Sequence, residues 1–155
     1  MSVKKKVCVT LLILLILLTL AFIWGNSLLN AETSSKASEE VHGALSGIFD
    51  CVFGEGVVTT AVLRKLAHFG EFFILGAEVC LLSVCIFGLK LKPLSCFLSV
   101  GLFVAIIDEL LQFISARGPA VTDVLIDFSG FFTAYLFSCL LRLIKYLSKD
   151  DKKTE

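Results

Sequence analysis

Four apolar runs constrain this chain more than any other feature. They lie at Val7–Leu29, Leu66–Leu89, Pro93–Ile114 and Val124–Ile144. A helix rising 1.5 Å per residue needs roughly 20 residues to cross a hydrocarbon core about 30 Å thick, and each run supplies that. Backbone groups in lipid must be satisfied within their own segment, so all four runs read as helices. Composition agrees: 57% of the 155 residues are hydrophobic, against roughly 45–50% in an ordinary soluble domain. The expected fold is an all-α membrane protein, a single domain over 1–155. It is a four-transmembrane-helix bundle with helices near 7–29, 63–89, 93–114 and 123–144 and an outer loop over 30–62.

The first run follows Lys4, Lys5 and Lys6 but is longer than the roughly 7–15 residues of a signal-peptide core, so it is expected to remain as an uncleaved helix. Basic residues orient the bundle. Lys4, Lys5, Lys6, Lys90, Lys92, Arg142, Lys145, Lys149, Lys152 and Lys153 fall on one side, ten of the fourteen Lys and Arg residues. Both termini are therefore expected in the cytoplasm and the other two loops outside. In the first outer loop Val41, Leu45, Ile48, Phe49 and Val52 recur at helical spacing, which predicts a short amphipathic helix on the outer surface or capping the bundle. Gly118-Pro119 marks a turn before the fourth helix. The charged tail Lys149–Glu155 reads as a frayed, solvated end. Fourteen basic residues balance fourteen acidic ones, and nothing points to nucleic acid. The six cysteines form no CxxC pattern and read as small apolar side chains.

Charge inside a membrane is expensive and usually marks a protein interior or a water-filled cavity. Residues three or four apart share a helix face. Arg64, His68, Glu71, Leu75 and Glu78 make one stripe on the second helix. Asp108, Gln112 and Ser115 share a face of the third, with Glu109 about one hundred degrees round. Asp123, Asp127, Gly130 and Ala134 share a face of the fourth, and the last two are small enough to admit a close neighbour. Measured from the expected outer ends of the helices, Glu71 lies roughly 7 Å deep and Asp108 roughly 9 Å, with Asp127 similar. Arg64, Arg117 and Asp123 sit above them. The geometry implies a polar pocket open to the outside, within the outer leaflet.

His68, Arg117 and Arg64 are too few to neutralise Glu71, Asp108, Glu109, Asp123 and Asp127, so some acid must be protonated, hydrated or bound. The competing reading is an ion-paired core that only sets helix register. His68 beside Glu71 suits acid–base work, with Asp108 positioning. A single histidine without a second His or Cys disfavours zinc. A hard cation on carboxylates such as Glu71 and Asp108 fits better, but no metal ligand set is assigned and no cofactor is indicated. The chain has no phosphate-cradling glycine loop and no G-x-S-x-G motif.

At these residues the sequence resembles the VanZ-like family of small bacterial membrane proteins. The match runs through Arg64-Lys65-Leu66-Ala67-His68-Phe69-Gly70-Glu71-Phe72, then Asp108-Glu109-Leu110-Leu111-Gln112-Phe113 with Arg117, then Asp123 through Asp127 to Gly130. Phe72 stands where Tyr is frequent and Asp127 where Asn is frequent. The resemblance implies a bacterial cell-membrane protein and a link to lowered susceptibility to teicoplanin, an acylated glycopeptide that acts on cell-wall precursors at the outer membrane face. Three functions compete. The first is binding or modification of lipid-linked envelope molecules or a lipoglycopeptide. There His68, Glu71 and Asp108 would be the candidate catalytic groups, Arg64 and Arg117 would hold phosphate, and Glu109, Gln112, Asp123 and Asp127 would line the substrate site. The second is a non-enzymatic membrane interaction protein. The third is a small ion-coupled transporter using Glu78, which would need to be an oligomer.

Overall fold

The computed structural model of the chain describes residues 2–88, 94–115, 118 and 120–154. Among them all regular structure is helical: α1 (Val3–Ser27), α2 (Ala31–Phe53), α3 (Thr60–Phe87), α4 (Leu94–Ile114) and α5 (Val121–Thr154). Four segments are long and apolar enough to cross a membrane: Val3–Ser27, Thr60–Phe87, Cys96–Ile114 and Val121–Ile144. They present Leu14, Leu18, Phe22, Phe103, Phe113, Leu136 and Phe137 outward. In water so much exposed apolar surface would drive aggregation; against lipid it is the expected outer face of a multi-pass membrane protein.

The helix ends follow local chemistry. Ser2, Asn30 and Thr59 cap α1, α2 and α3 by accepting from the backbone amides of Lys5, Thr33 and Val62, which satisfies donors that a helix start otherwise leaves open. Gly88, with φ of 70°, ends α3 in a conformation that a side chain would strain. The stretch between α1 and α3 differs from expectation: α2 is helical for 23 residues, where a loop holding a short helix was predicted. Asn30 supplies a strong start and no proline intervenes, so helix propagates through the polar half as well. The charged tail also departs from the predicted frayed end, since α5 continues through Thr154. No glycine or proline follows Gly130 to stop it. The Lys90/Lys92 turn lies outside the described residues.

The core is small. Ile23 of α1, Phe72 and Leu75 of α3, Val104 and Ala105 of α4 and Phe131 of α5 are buried together, flanked by Ile16, Leu20, Trp24, Val79, Phe97 and Val124. Packing of α3 on α5 is closest because two glycines remove side chains there. A Cβ on Gly76 would come within 2.8 Å of the Phe131 carbonyl oxygen and 2.9 Å of the Ala134 Cβ, and one on Gly130 would collide with the Phe69 carbonyl. Phe131 in turn lies against Gly101 of α4 and 4.6 Å, ring to ring, from Phe97. Without a hydrophobic drive between helices in lipid, small residues that let backbones meet supply the association energy through dispersion and close fit.

Candidate functional site

The close crossing of α3 and α5 sets the chemistry. Gly130 rests on the Phe69 carbonyl. His68 is the residue before Phe69, and Asp127 lies one turn before Gly130. Their side chains therefore meet across the contact, with His68 Nδ1 3.4 Å from Asp127 Oδ1. Asp108 arrives from α4, its Oδ2 3.8 Å from the same ring nitrogen. Asp108 and Asp127 are both fully buried, and the imidazole retains 18% exposure. Three helices thus place two carboxylates around one imidazole.

A layer of hydrogen bonds holds this group. The Ser27 hydroxyl donates to Asp108 Oδ1, and Gln112 Nε2 donates to Asp108 Oδ2 at 2.9 Å. The Ser115 hydroxyl lies 2.9 Å from the Ser27 carbonyl, tying the ends of α1 and α4 together. Asn26 Nδ2 donates to Glu71 Oε1 at 3.4 Å. Glu109 is buried and accepts from the Ala120 amide at the start of α5. Glu78, 5% exposed, accepts from the Thr19 hydroxyl at 2.9 Å. Buried acids in lipid need such donors, because an unmet carboxylate there carries its full desolvation cost.

The sequence-predicted residues separate into three groups. His68, Asp108, Asp127 and Gln112 come together. Glu109 accepts from the Ala120 amide and Glu71 from Asn26; Asp108 and Asp127 lie nearest His68 Nδ1, and Glu71 interacts with His68 electrostatically as well. Arg64 and Asp123 line a cleft of about 10 Å³ with Lys65, His68, Ile126 and Asp127. Among the described residues, His68 supplies the ionic contacts to the buried acids, whereas Arg64 stands at the mouth. Arg117 lies outside the described residues. Sequence reasoning drew the polar group from three helices and missed Thr19, Asn26 and Ser27 of α1. Asn26 and Ser27 sit side by side at the end of an otherwise apolar run, and that position was the available signal.

Apolar concavities accompany the polar cleft. A groove of about 540 Å³ runs along Val3, Val7, Leu11 and Leu15 near the start of α1. It is larger than the cleft but remote from the acids, and its lining suits lipid. A second, of about 330 Å³, is lined by Ile106, Leu110, Phe113 and Val124 and reaches Glu109. Apolar surface and the polar cluster therefore adjoin along α4 and α5.

Residues 9–142 match the family profile described as VanZ/LLP1. No curated protein and no solved structure matches the chain.

Proposed function

This chain belongs to the VanZ/LLP1 family, and from that premise we propose that it acts in the bacterial cell membrane on amphiphilic, lipid-linked envelope molecules, lowering susceptibility to teicoplanin-type lipoglycopeptides. In this reading the His68 end of the bundle faces outward and both termini are cytoplasmic, in keeping with the ten Lys and Arg residues assigned to the inner side. The observation that carries the reading is the buried His68–Asp108–Asp127 group beneath a cleft edged by Arg64 and Lys65. An anionic headgroup suits that basic rim, since guanidinium contacts phosphate bidentately. An acyl chain suits the apolar groove beside Glu109. His68 is the group to exchange a proton with a bound headgroup, Asp108 and Asp127 orient it, and Glu71, Glu109, Gln112, Asp123 and Arg117 complete the lining.

The test is susceptibility of a Gram-positive host expressing wild type or Asp108→Asn at matched membrane levels. Wild type is expected to raise the inhibitory concentration of teicoplanin more than that of vancomycin, and Asp108→Asn to abolish the effect. Equal protection by both would make the cluster structural, and protection by neither would detach the chain from this role. The second reading, a non-enzymatic interaction protein with a structural cluster, draws on the bonds from Ser27 and Gln112 to Asp108. It predicts that Asp108→Asn lowers the amount of folded protein rather than activity alone. An ion-coupled transporter is the third reading; Glu78 accepts from Thr19 through Oε1, while its Oε2 has no hydrogen-bond partner among the described residues.

A further inference from the structure

We infer that His68, Asp108 and Asp127 bind one divalent cation of intermediate hardness, of the Mn²⁺ class. Each residue offers one ligand atom, and the three atoms lie within 4.8 Å of one another. The separations from His68 Nδ1 are 3.4 Å to Asp127 Oδ1 and 3.8 Å to Asp108 Oδ2. With metal–ligand distances of roughly 2.1 Å, octahedral neighbours stand roughly 3 Å apart and opposite ligands roughly 4.2 Å. The two His68 pairs fall between those values and the set spans at most 4.8 Å, so a cation enters with side-chain adjustments of about an ångström or less.

A second observation points to a ligand. Asp127 is fully buried, yet neither of its carboxylate oxygens accepts a hydrogen bond, and neither does His68 Nδ1. Asp127 Oδ1 and His68 Nδ1 face each other at 3.4 Å without a hydrogen bond between them. Hydrogen bonds fix Asp108, from the Ser27 hydroxyl to Oδ1 and from the Gln112 amide to Oδ2, the ligand oxygen itself. Outer-shell donors of this kind orient a ligating carboxylate. The cleft at His68 and Asp127 supplies an entry path.

The donor set selects the metal. One nitrogen and two carboxylate oxygens are poorer in nitrogen and sulfur than structural zinc sites and less oxygen-rich than calcium cages. Mn²⁺ accepts imidazole and carboxylate together. Three protein ligands leave open positions, and Arg64 and Lys65 at the mouth favour an anionic oxygen donor in them. Cation binding rests on the same three residues as the envelope role proposed above, but it is read on purified protein without any antibiotic, so each can fail without the other.

The experiment uses the full chain in detergent, freed of metal, titrated with Mn²⁺ and followed by electron paramagnetic resonance. The expected result is loss of the aqueous Mn²⁺ signal with one ion per chain, and ¹⁴N modulation in the bound spectrum that persists in His42→Gln. Asp127→Asn and His68→Gln are each expected to weaken binding by at least about tenfold, while Glu32→Gln on the exposed face of α2 leaves it unchanged. Elution profile and melting in chelator check that the variants fold. Wild type that binds no stoichiometric Mn²⁺, a bound spectrum without nitrogen modulation, or folded variants that bind as wild type does would each overturn the inference. The first of these would leave His68 as an imidazolium bridging two acids. The nitrogen signal needs only the wild type and His42→Gln, so it decides the matter even where a ligand variant fails to fold.

Discussion

The α3–α5 contact and α2 carry similar residues to opposite ends. Both contain glycines, acids and a histidine on helical spacing. In α2 a Cβ on Gly43 or Gly47 would meet nothing within 4 Å, whereas on Gly76 or Gly130 it would strike backbone. Glu32 pairs with Lys36 on an exposed face, while Asp108 and Asp127 are sealed. His42 lies 2.6 Å from the Val58 carbonyl and anchors a helix; His68 faces two carboxylates. The same residue types are cheap where water reaches them and consequential where it does not. Function is therefore to be sought where polarity is expensive.

Perturbations should divide along that line. The largest effect is expected from Gly130→Val. Its side chain must displace the Phe69 backbone, which does not yield as a flexible side chain does, and the cost is expected to reach about 3 kcal/mol or more. Gel filtration and detergent melting would report it; native-like melting would mean that α3 and α5 do not touch at Phe69. Next comes a covalent test at the far end of the bundle. Cys8 Sγ and Cys85 Sγ are 3.5 Å apart, so mild oxidation should remove two maleimide-reactive thiols and stabilise the bundle by about 2–4 kcal/mol. Cys51 on α2 is exposed and should stay reactive; a Cys51 crosslink within the chain would refute the arrangement of α2.

Smaller effects follow. Ser27→Ala deletes a donor to fully buried Asp108 and should lower stability by about 1–3 kcal/mol. An unchanged melting temperature would show that α1 does not contribute to the site. The smallest response belongs to α2. Lys36→Ala removes an exposed i,i+4 pair and is expected to change stability by less than about 0.5 kcal/mol. A change of several degrees in melting would mean that α2 is buried against a partner.

Much of the framework was readable. The four apolar runs predicted four long apolar helices, and Gly130 and Ala134 were marked as a face for close approach. The faces of His68, Asp108, Gln112 and Asp127 followed from the 3.6-residue period alone. Other features were not readable. Spacing places Glu71 beside His68, but it does not show that Asp127 on a distant helix lies at the imidazole or that Asn26 approaches Glu71. Gly76 and Gly101 have no periodic partner in sequence, and their role emerges only from what stands opposite them. Polar composition alone predicts loop over much of 30–62, whereas a capped polar segment without proline propagates helix through α2.

Hydrophobicity and helical period acting along one segment determined, from sequence alone, that the chain crosses a membrane and which face of each helix is polar. Both are local properties, decided by solvent and by backbone hydrogen bonding within about 20 residues. Tertiary structure decided which acid meets which base and that α1 contributes Thr19, Asn26 and Ser27. Those outcomes depend on where two backbones can touch. In lipid that is governed by the fit of Gly130 on Phe69 and Gly76 on Phe131, a relation between distant segments that no local period encodes.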